Sequence, residues 1–158
     1  MRTAVVDASA LVKCWVQEPG TAEIRAFLAD AERGRLYVST LTCVEVAATI
    51  VRAARGGRIG DSMAGGAVAE VRALARGPLN LLSLSAELME RAMDLAQTHG
   101  LRGADCVQLA TACEVGEIQA AFERERVGLV AADQALLAAA RQEGLDTWNP
   151  EEGPLPEG

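Results

Sequence analysis

Short apolar runs alternate along this chain with longer segments of helical period. The alternation is typical of an α/β domain with a parallel sheet. It predicts five strands, at residues 3–6, 36–39, 79–84, 127–131 and 146–148. We therefore expect an α/β fold whose central parallel sheet has about five strands.

Capping residues and glycines mark the ends of the predicted helices. These helices begin at residue 8 or 9, then at 21, 40 or 42, 61 or 62, 85, 103 and 133. They end before residue 19, then at residues 31, 56, 77, 100, about 114 and 143. Residues 149–158, NPEEGPLPEG, have the composition of a disordered end. The expected organisation is one domain over 1–150 and a flexible tail over 151–158.

Composition narrows the function classes. A chain of 158 residues that is 50% hydrophobic can bury one ordinary core. Aromatic residues make up only 3%, so the core must consist of Ala, Val and Leu, and base stacking on exposed aromatics is not expected. The net charge of -7 argues against broad electrostatic capture of nucleic acid. A small local basic rim remains compatible with this net negative charge.

The sequence lacks the signals of a secreted, a membrane-spanning or a zinc-binding protein. No secretion signal and no run of 18 uncharged apolar residues is found. We therefore expect a soluble, cytoplasmic protein with no membrane partner. Cys14, Cys43, Cys106 and Cys113 form no C-x-x-C pair, and with the lone His99 they offer no zinc spacing. Free thiols in a reducing compartment are expected instead.

Four acidic residues fall where the chain passes between predicted strands and helices. Asp7 ends RTAVVD, Asp133 ends VGLVAAD, Glu45 lies early in a helix that follows a strand, and Asp105 lies in the first turn of its helix. Ligands of open parallel sheets bind beyond the carboxyl ends of the strands. The four carboxylates are therefore expected to converge at that edge.

Converging carboxylates repel one another unless a cation holds them together. Mg²⁺ and Mn²⁺ take oxygen ligands and usually keep several waters, which suits three or four carboxylates. Such ions stabilise charge on a transferred phosphoryl group and activate a bound water. Ser9, two residues after Asp7, could hydrogen-bond a ligand carboxylate or that water.

Each of these residues also has a purely structural explanation. Asp105 and Glu45 could each be a charge that favours a helix N-terminus. Asp133 and Ser9 could be helix N-caps. Asp7 has the weakest such alternative, because it interrupts an apolar run where an apolar side chain would pack better.

The ordered segments VVDASALVKCWVQE, STLTCVEVAATIVRAARGGRI, GLRGADCVQLATA and VGLVAADQALLAAA, followed by GLDTWNPE, resemble the PIN-domain family. More specifically, they resemble the VapC-type ribonuclease toxins of toxin-antitoxin modules. The resemblance covers nearly the whole chain in the right order. No single segment is specific, but the ordered set is.

The resemblance implies a three-layer α/β/α fold and a homodimer. It matches Asp7, Glu45, Asp105 and Asp133 to the family's acidic quartet, which holds one or two Mg²⁺ or Mn²⁺ ions, and Ser9 to its small hydroxyl residue. The implied activity is endonucleolytic cleavage of RNA. The implied partners are the RNA substrate and a cognate antitoxin that blocks the site. Asn149 matches the Asn of the family's closing N-P pair.

Two departures from the family pattern bear on the site. Ala131 stands where many members have Thr or Ser, and the link over residues 114–127 is longer than usual. RNA contacts are expected from Arg52, which lies seven residues after Glu45 and so shares its helix face, and from Arg55, which continues the basic patch past it. Lys13, about two turns after Asp7, is a further expected contact. Solvated arginines on the surface are the alternative.

Other protein classes with an Asp at a strand end fit this sequence less well. A haloacid-dehalogenase-like phosphatase needs a second Asp where this chain has Ser9, and a receiver domain needs a late Lys, whereas Lys13 is the only lysine. A housekeeping PIN nuclease acting in RNA processing or on structured DNA stays open. So does a non-catalytic PIN-fold interaction module, although a binding role has no need of four converging charges.

Overall fold

A computed structural model describes residues 1, 3–30, 35–77, 79–122 and 126–155, and its five strands form one parallel sheet. The strands are β1 (Thr3–Val6), β2 (Leu36–Ser39), β3 (Asn80–Leu82), β4 (Val127–Val130) and β5 (Asp146–Trp148). The helices are α1 (Ala8–Leu11), α2 (Thr21–Asp30), α3 (Thr40–Arg55), α4 (Asp61–Leu74), α5 (Ala86–His99), α6 (Gly103–Ala121) and α7 (Gln134–Gln142). Short 3-10 helices cover Val12–Cys14 and Pro150–Glu152.

The strand order is β3-β2-β1-β4-β5. The chain therefore builds the sheet outward from β1 through β2 and β3, and then returns to add β4 on the other side of β1. Val5 pairs with Tyr37 of β2 and with Leu129 of β4. The order reverses between β1 and β4, and in open α/β sheets the crevice beyond the strand ends at such a point is the usual ligand site.

Helices cover both faces of the sheet, as the three-layer prediction requires. Alternate residues of β1 point to opposite faces: Ala4 and Val6 pack in one apolar cluster with side chains of α1 to α4. Val5 packs in a second cluster with side chains of α5, α6 and α7. All four β1 residues are buried, as expected of a strand covered on both faces. The predicted α/β/α architecture is confirmed.

Several element bounds differ from those predicted. The sixth helix was expected to end near residue 114, but α6 continues to Ala121, so most of the unusually long link is an extension of this helix. Val115 and Gln119 are buried against the rest of the fold, and this packing outweighs the interruption by Gly116. The strand β3 is shorter than predicted, and the end of the predicted second helix, at residue 31, lies outside the described residues.

The residues expected to begin a flexible tail are folded against the domain in this structure. Asn149 caps the 3-10 helix Pro150–Glu152 by accepting a hydrogen bond from the Glu151 amide at 2.9 Å. Gly20, with a φ of 85°, approaches this helix so closely that a Cβ would lie 2.8 Å from the Pro150 carbonyl carbon. The Trp148 indole donates to the Gly153 carbonyl at 3.1 Å. The domain therefore reaches past residue 150, and residues 156–158 lie outside the described residues.

The four cysteines are free thiols, as the sequence predicted. All four cysteines are within the described residues and are free, with Cys106 and Cys113 buried and Cys14 and Cys43 half-buried. Burial raises the pKa of both the Cys14 and the Cys113 thiol to about 11. No helix among the described residues has the length and apolar character needed to cross a membrane.

Candidate metal and phosphate site

A cleft of about 610 Å³ lies beyond the carboxyl ends of β1 and β4. It is lined by all four acids of the predicted quartet, together with Ser9 and the predicted contacts Lys13 and Arg52. The charged and polar residues of its wall are Asp7, Ser9, Lys13, Glu18, Glu45, Thr49, Arg52, Arg102, Asp105, Asp133 and Glu151. The four carboxylates that the sequence predicted to converge thus line one cleft.

Asp7 is the most buried acid of this cleft. It follows β1 directly, is 5% exposed, and caps α1 by accepting a hydrogen bond from the Ser9 amide at 2.9 Å. The Ser9 hydroxyl donates to the same carboxylate oxygen. Burial raises the pKa of Asp7, the hydrogen bonds from Ser9 oppose that rise, and the nearby charge of Asp133 adds to it.

Ser9 holds two loops of the cleft together. While its hydroxyl donates to Asp7, its oxygen accepts a hydrogen bond from the Ala132 amide at 2.9 Å. The hydroxyl thus ties the end of β1 to the loop that follows β4. Ser9 is not an N-cap, since Asp7 occupies that position; its predicted bond to a carboxylate of the quartet is present. Ala131, the position without the family's hydroxyl, is fully buried.

Glu45 reaches the cleft from the second turn of α3 and is half-buried. Its carboxylate accepts a hydrogen bond from the Gln108 side-chain amide at 3.0 Å. Burial raises the pKa of Glu45, and the charges of Asp7 and Asp105 raise it further. The Gln108 bond and the positive charge of Arg52 act in the opposite direction.

Asp105 and Asp133 complete the acidic wall. Asp105 lies in the first turn of α6 and is half-buried, and its pKa is raised by burial and then by the charges of Asp133 and Asp7. Asp133 is the N-cap of α7, accepting from the Leu136 amide at 3.0 Å, while it also lines the cleft. The predicted cap is thus present, and the same side chain also lies in the cleft wall.

The donor chemistry of the cleft fits a hard divalent cation. Asp7, Glu45 and Asp105 each have their pKa raised partly by other acids of the same cleft, which is the electrostatic environment that a cation would relieve. No three His, Cys, Asp or Glu side chains among the described residues are placed to hold an ion as they stand. Mg²⁺ commonly keeps several waters and takes only one or two carboxylates directly. The arrangement therefore fits a partly hydrated ion rather than a closed cage of protein ligands.

Of the three basic residues predicted to contact RNA, Lys13 and Arg52 line the cleft and Arg55 does not. Arg52 is exposed, lines the cleft and donates to the Thr49 hydroxyl at 2.7 Å. Arg55 lines a neighbouring groove instead. Lys13 is 2% exposed, and its ammonium group contacts Glu151 at 2.6 Å and Glu18 at 3.3 Å. In this structure Lys13 anchors the C-terminal 3-10 helix, and it contacts a phosphate only if those ion pairs open.

Sequence reasoning missed three residues of the site. Arg102, the N-cap residue of α6, lines the cleft, and its charge lowers the pKa of Asp105 against the larger effect of burial. Its position three residues before Asp105 was the available signal. Gln108, a polar residue inside an apolar helical run, was the second signal. Glu151 could not be found, because its place depends on how the C-terminal segment folds back.

A PIN-domain family model matches residues 4–142. The ribonuclease VapC47 of Mycobacterium tuberculosis is 31% identical over 150 residues, which cover 92% of this chain and 95% of that protein. The toxin VapC20 of Mycobacterium tuberculosis, which cleaves the sarcin-ricin loop, superposes with a TM-score of 0.62 at 17% identity, covering 87% of this chain and 95% of its own. A toxin-antitoxin complex from Klebsiella pneumoniae gives a TM-score of 0.53 at 20% identity, with coverages of 83% and 87%. At these identities the two structures establish a shared fold.

The burial of Asp7 predicts a gain in stability when its charge is removed. Because the pKa of Asp7 is raised in the folded protein, the folded state binds this proton more tightly than the unfolded chain does. Its stabilising contribution is present below the ordinary value of 3.8 and is lost as the pH rises through the folded-state pKa. With a chelator present at pH 7, Asp7→Asn should raise the free energy of unfolding, measured by urea titration.

The gain should shrink as the pH falls towards 4. The exposed Asp94 on α5 provides the matched control, and Asp94→Asn should leave stability nearly unchanged at both pH values. A loss of stability in Asp7→Asn at pH 7 would show that its carboxylate is well solvated or paired, against this account.

Proposed function

Since this chain belongs to the PIN-domain family, we propose that it is a Mg²⁺- or Mn²⁺-dependent endoribonuclease and the toxin of a type II toxin-antitoxin pair. The observation that carries the proposal is the convergence of Asp7, Glu45, Asp105 and Asp133 in one cleft at the point where the strand order reverses. A non-catalytic module of this fold would have no reason to keep four carboxylates whose charges disfavour one another. The sequence relative named as a ribonuclease supports the same conclusion.

The residues that line the cleft have separate proposed roles. Asp7, Asp105, Asp133 and Glu45 would hold the cation, directly or through its waters. A bound Mg²⁺ or Mn²⁺ would neutralise charge on the phosphate oxygens and lower the pKa of a water that attacks the phosphorus in line. Ser9 keeps Asp7 oriented towards the cleft through the hydrogen bonds described above.

Two arginines give the acidic cleft a means of holding an RNA backbone. Arg52 lies beside Glu45 on α3, and Arg102 lies beside Asp105 at the start of α6, so both line the cleft through separate helices. Guanidinium groups bind phosphate in a bidentate fork. We propose that they hold phosphates on either side of the scissile bond. With these two arginines at the cleft, RNA binding is compatible with the net charge of -7.

Cleavage of a mixed RNA pool in Mn²⁺ tests the proposed activity. Asp7→Asn and Asp105→Asn should each lower the cleavage rate about 100-fold or more, the scale of losing one charge-stabilising group. Chelation should abolish cleavage and added Mn²⁺ should restore it. Arg52→Gln and Arg102→Gln should mainly raise the KM for RNA. Each lost phosphate contact should also reduce the slope of the log binding constant against log salt concentration by roughly 0.7.

Asp94→Asn is the control for the acids. Arg55→Gln is the comparison for the arginines, since Arg55 lines the neighbouring groove rather than the cleft, and its effect on KM should be smaller. Cleavage that survives chelation, or that persists in Asp7→Asn purified in parallel, would reject the metal-dependent nuclease.

A groove of about 800 Å³ next to the cleft supports a protein partner. It runs between α3 and α4, with apolar walls that include Val51, Val71 and Leu81, and it shares Arg52 with the cleft. Its arginines are Arg52, Arg55, Arg72 and Arg76. We propose that an antitoxin segment with apolar and acidic side chains lies here and reaches the acidic cleft. A solved structure of the same fold is a toxin-antitoxin complex, which supports an antitoxin as the kind of partner.

A second copy of the chain is also proposed as a partner. Met89 and Met93 on α5 and Ile118 on α6 are large apolar side chains that are 40%, 50% and 45% exposed. The two helices that carry them pack against each other, so both contribute to the surface on that side of the sheet. Exposed apolar side chains of this size are typical of an interaction surface.

Co-expression with an adjacent gene that encodes a small antitoxin-like protein tests both partners. We expect growth arrest by this chain alone, relief by the neighbour, and a purified complex containing two copies of the 16.6 kDa chain by light scattering. Val51→Asp, in the groove but outside the cleft, should weaken relief while RNA cleavage persists. Unchanged relief in Val51→Asp would place the antitoxin elsewhere, and a complex with a single copy would remove the homodimer.

A further inference from the structure

The side chain of Gln108 is fully buried one turn after Asp105, although α6 is otherwise largely apolar there. Its amide nitrogen donates to the Glu45 carboxylate at 3.0 Å. Its amide oxygen accepts from the Ser39 hydroxyl at 3.1 Å and from the Thr42 hydroxyl at 2.9 Å. A buried amide is favourable only when it is hydrogen-bonded, and every partner named here lies on α3 or on its N-cap residue.

The orientation of this amide follows from the chemistry of its partners. An ionised carboxylate can only accept hydrogen bonds, so the nitrogen end of Gln108 must face Glu45. The two hydroxyls can donate, so they serve the oxygen end. Ser39 is itself fixed as the N-cap of α3, accepting from the Thr42 amide at 3.1 Å. The network therefore runs from the start of α3, through Gln108, to the charged group in the cleft.

We propose that Gln108 is a positioning residue that fixes the Glu45 carboxylate for binding the cation of the active site. This inference rests on the proposed function, since it assigns a role within the same cleft. Glu45 is a long, half-buried side chain with several rotamers, and a single donor from a fully buried neighbour restricts them. Groups that orient metal-binding carboxylates in this way affect metal affinity strongly.

Gln119 provides a matched control on the same helix. It is buried, 5% exposed, and its amide nitrogen donates to a side-chain oxygen, the Tyr37 hydroxyl, at 3.4 Å. That hydroxyl does not line the cleft. Gln108→Met and Gln119→Met thus remove the same group from similar burial, but only the first removes a donor to an acid of the site.

Calorimetric titration with Mn²⁺ provides a readout independent of catalysis. Gln108→Met should weaken Mn²⁺ binding about tenfold, the usual scale for losing a group that orients a ligand. Gln119→Met should stay within about twofold of wild type, the scatter expected for a site without contact to the acids. Thermal denaturation of both variants in chelator reports any general loss of stability.

A double-mutant cycle separates positioning from structural support. If Gln108 acts through Glu45, then Gln108→Met should have little further effect on Mn²⁺ affinity in the Glu45→Gln background. Thr42→Val covers the case in which Gln108→Met folds poorly. It keeps the amide but removes one hydroxyl that holds its oxygen, and it should give a smaller loss that also vanishes in Glu45→Gln.

The measured Mn²⁺ affinities test the role of Gln108 separately from the proposed nuclease function. Equal Mn²⁺ affinities for Gln108→Met, Gln119→Met and wild type would overturn the positioning role and leave the nuclease proposal standing. A loss that persists in Glu45→Gln would show that Gln108 only supports the fold. Failure of the wild-type protein to bind Mn²⁺ would remove the proposed function itself, and this inference with it.

Discussion

The burial of Asp7 at the end of the central strand is the constraint on which the rest of the site depends. An ionised carboxylate that is 5% exposed beside other acids is unfavourable in isolation. The fold offsets this with the Ser9 amide and hydroxyl, and Ser9 in turn binds the loop that carries Asp133. The most buried carboxylate of the cleft is thus held by local hydrogen bonds, and a bound cation would relieve the repulsion from Asp133.

Sheet topology determines which acids become neighbours. Because β4 is added beside β1, Asp7 and Asp133 meet although they are far apart in the chain. The helices α3 and α6 then bring Glu45 and Asp105 to the same edge, and Gln108 links these helices through its bond to Glu45. The arginines that line the cleft come from α3 and the N-cap of α6, so the proposed cation site and the proposed phosphate contacts share one scaffold. An acidic protein can in this way present a small basic rim at the edge of the cleft where we propose that a phosphate backbone binds.

The sequence predicted the elements of the fold well, because strands and helices leave strong periodic signals. It also placed Asp7 and Asp133 at strand ends, which is enough to bring them to one edge of a parallel sheet. It could not give the strand order, because hydrophobic periodicity carries no information on which strands pair. Lys13 was expected to contact RNA but is buried in ion pairs with Glu18 and Glu151. The ion pair with Glu151 forms because the C-terminal segment folds back on the domain. The composition of that segment had predicted a flexible tail instead.

A crystal structure of the protein soaked in Mn²⁺, with anomalous scattering recorded, tests the central claim most directly. The account predicts an anomalous peak in the cleft, within direct or one-water reach of Asp7 and Asp105, and its loss in Asp7→Asn. A peak confined to another surface, or none at a Mn²⁺ concentration that supports RNA cleavage, would contradict it.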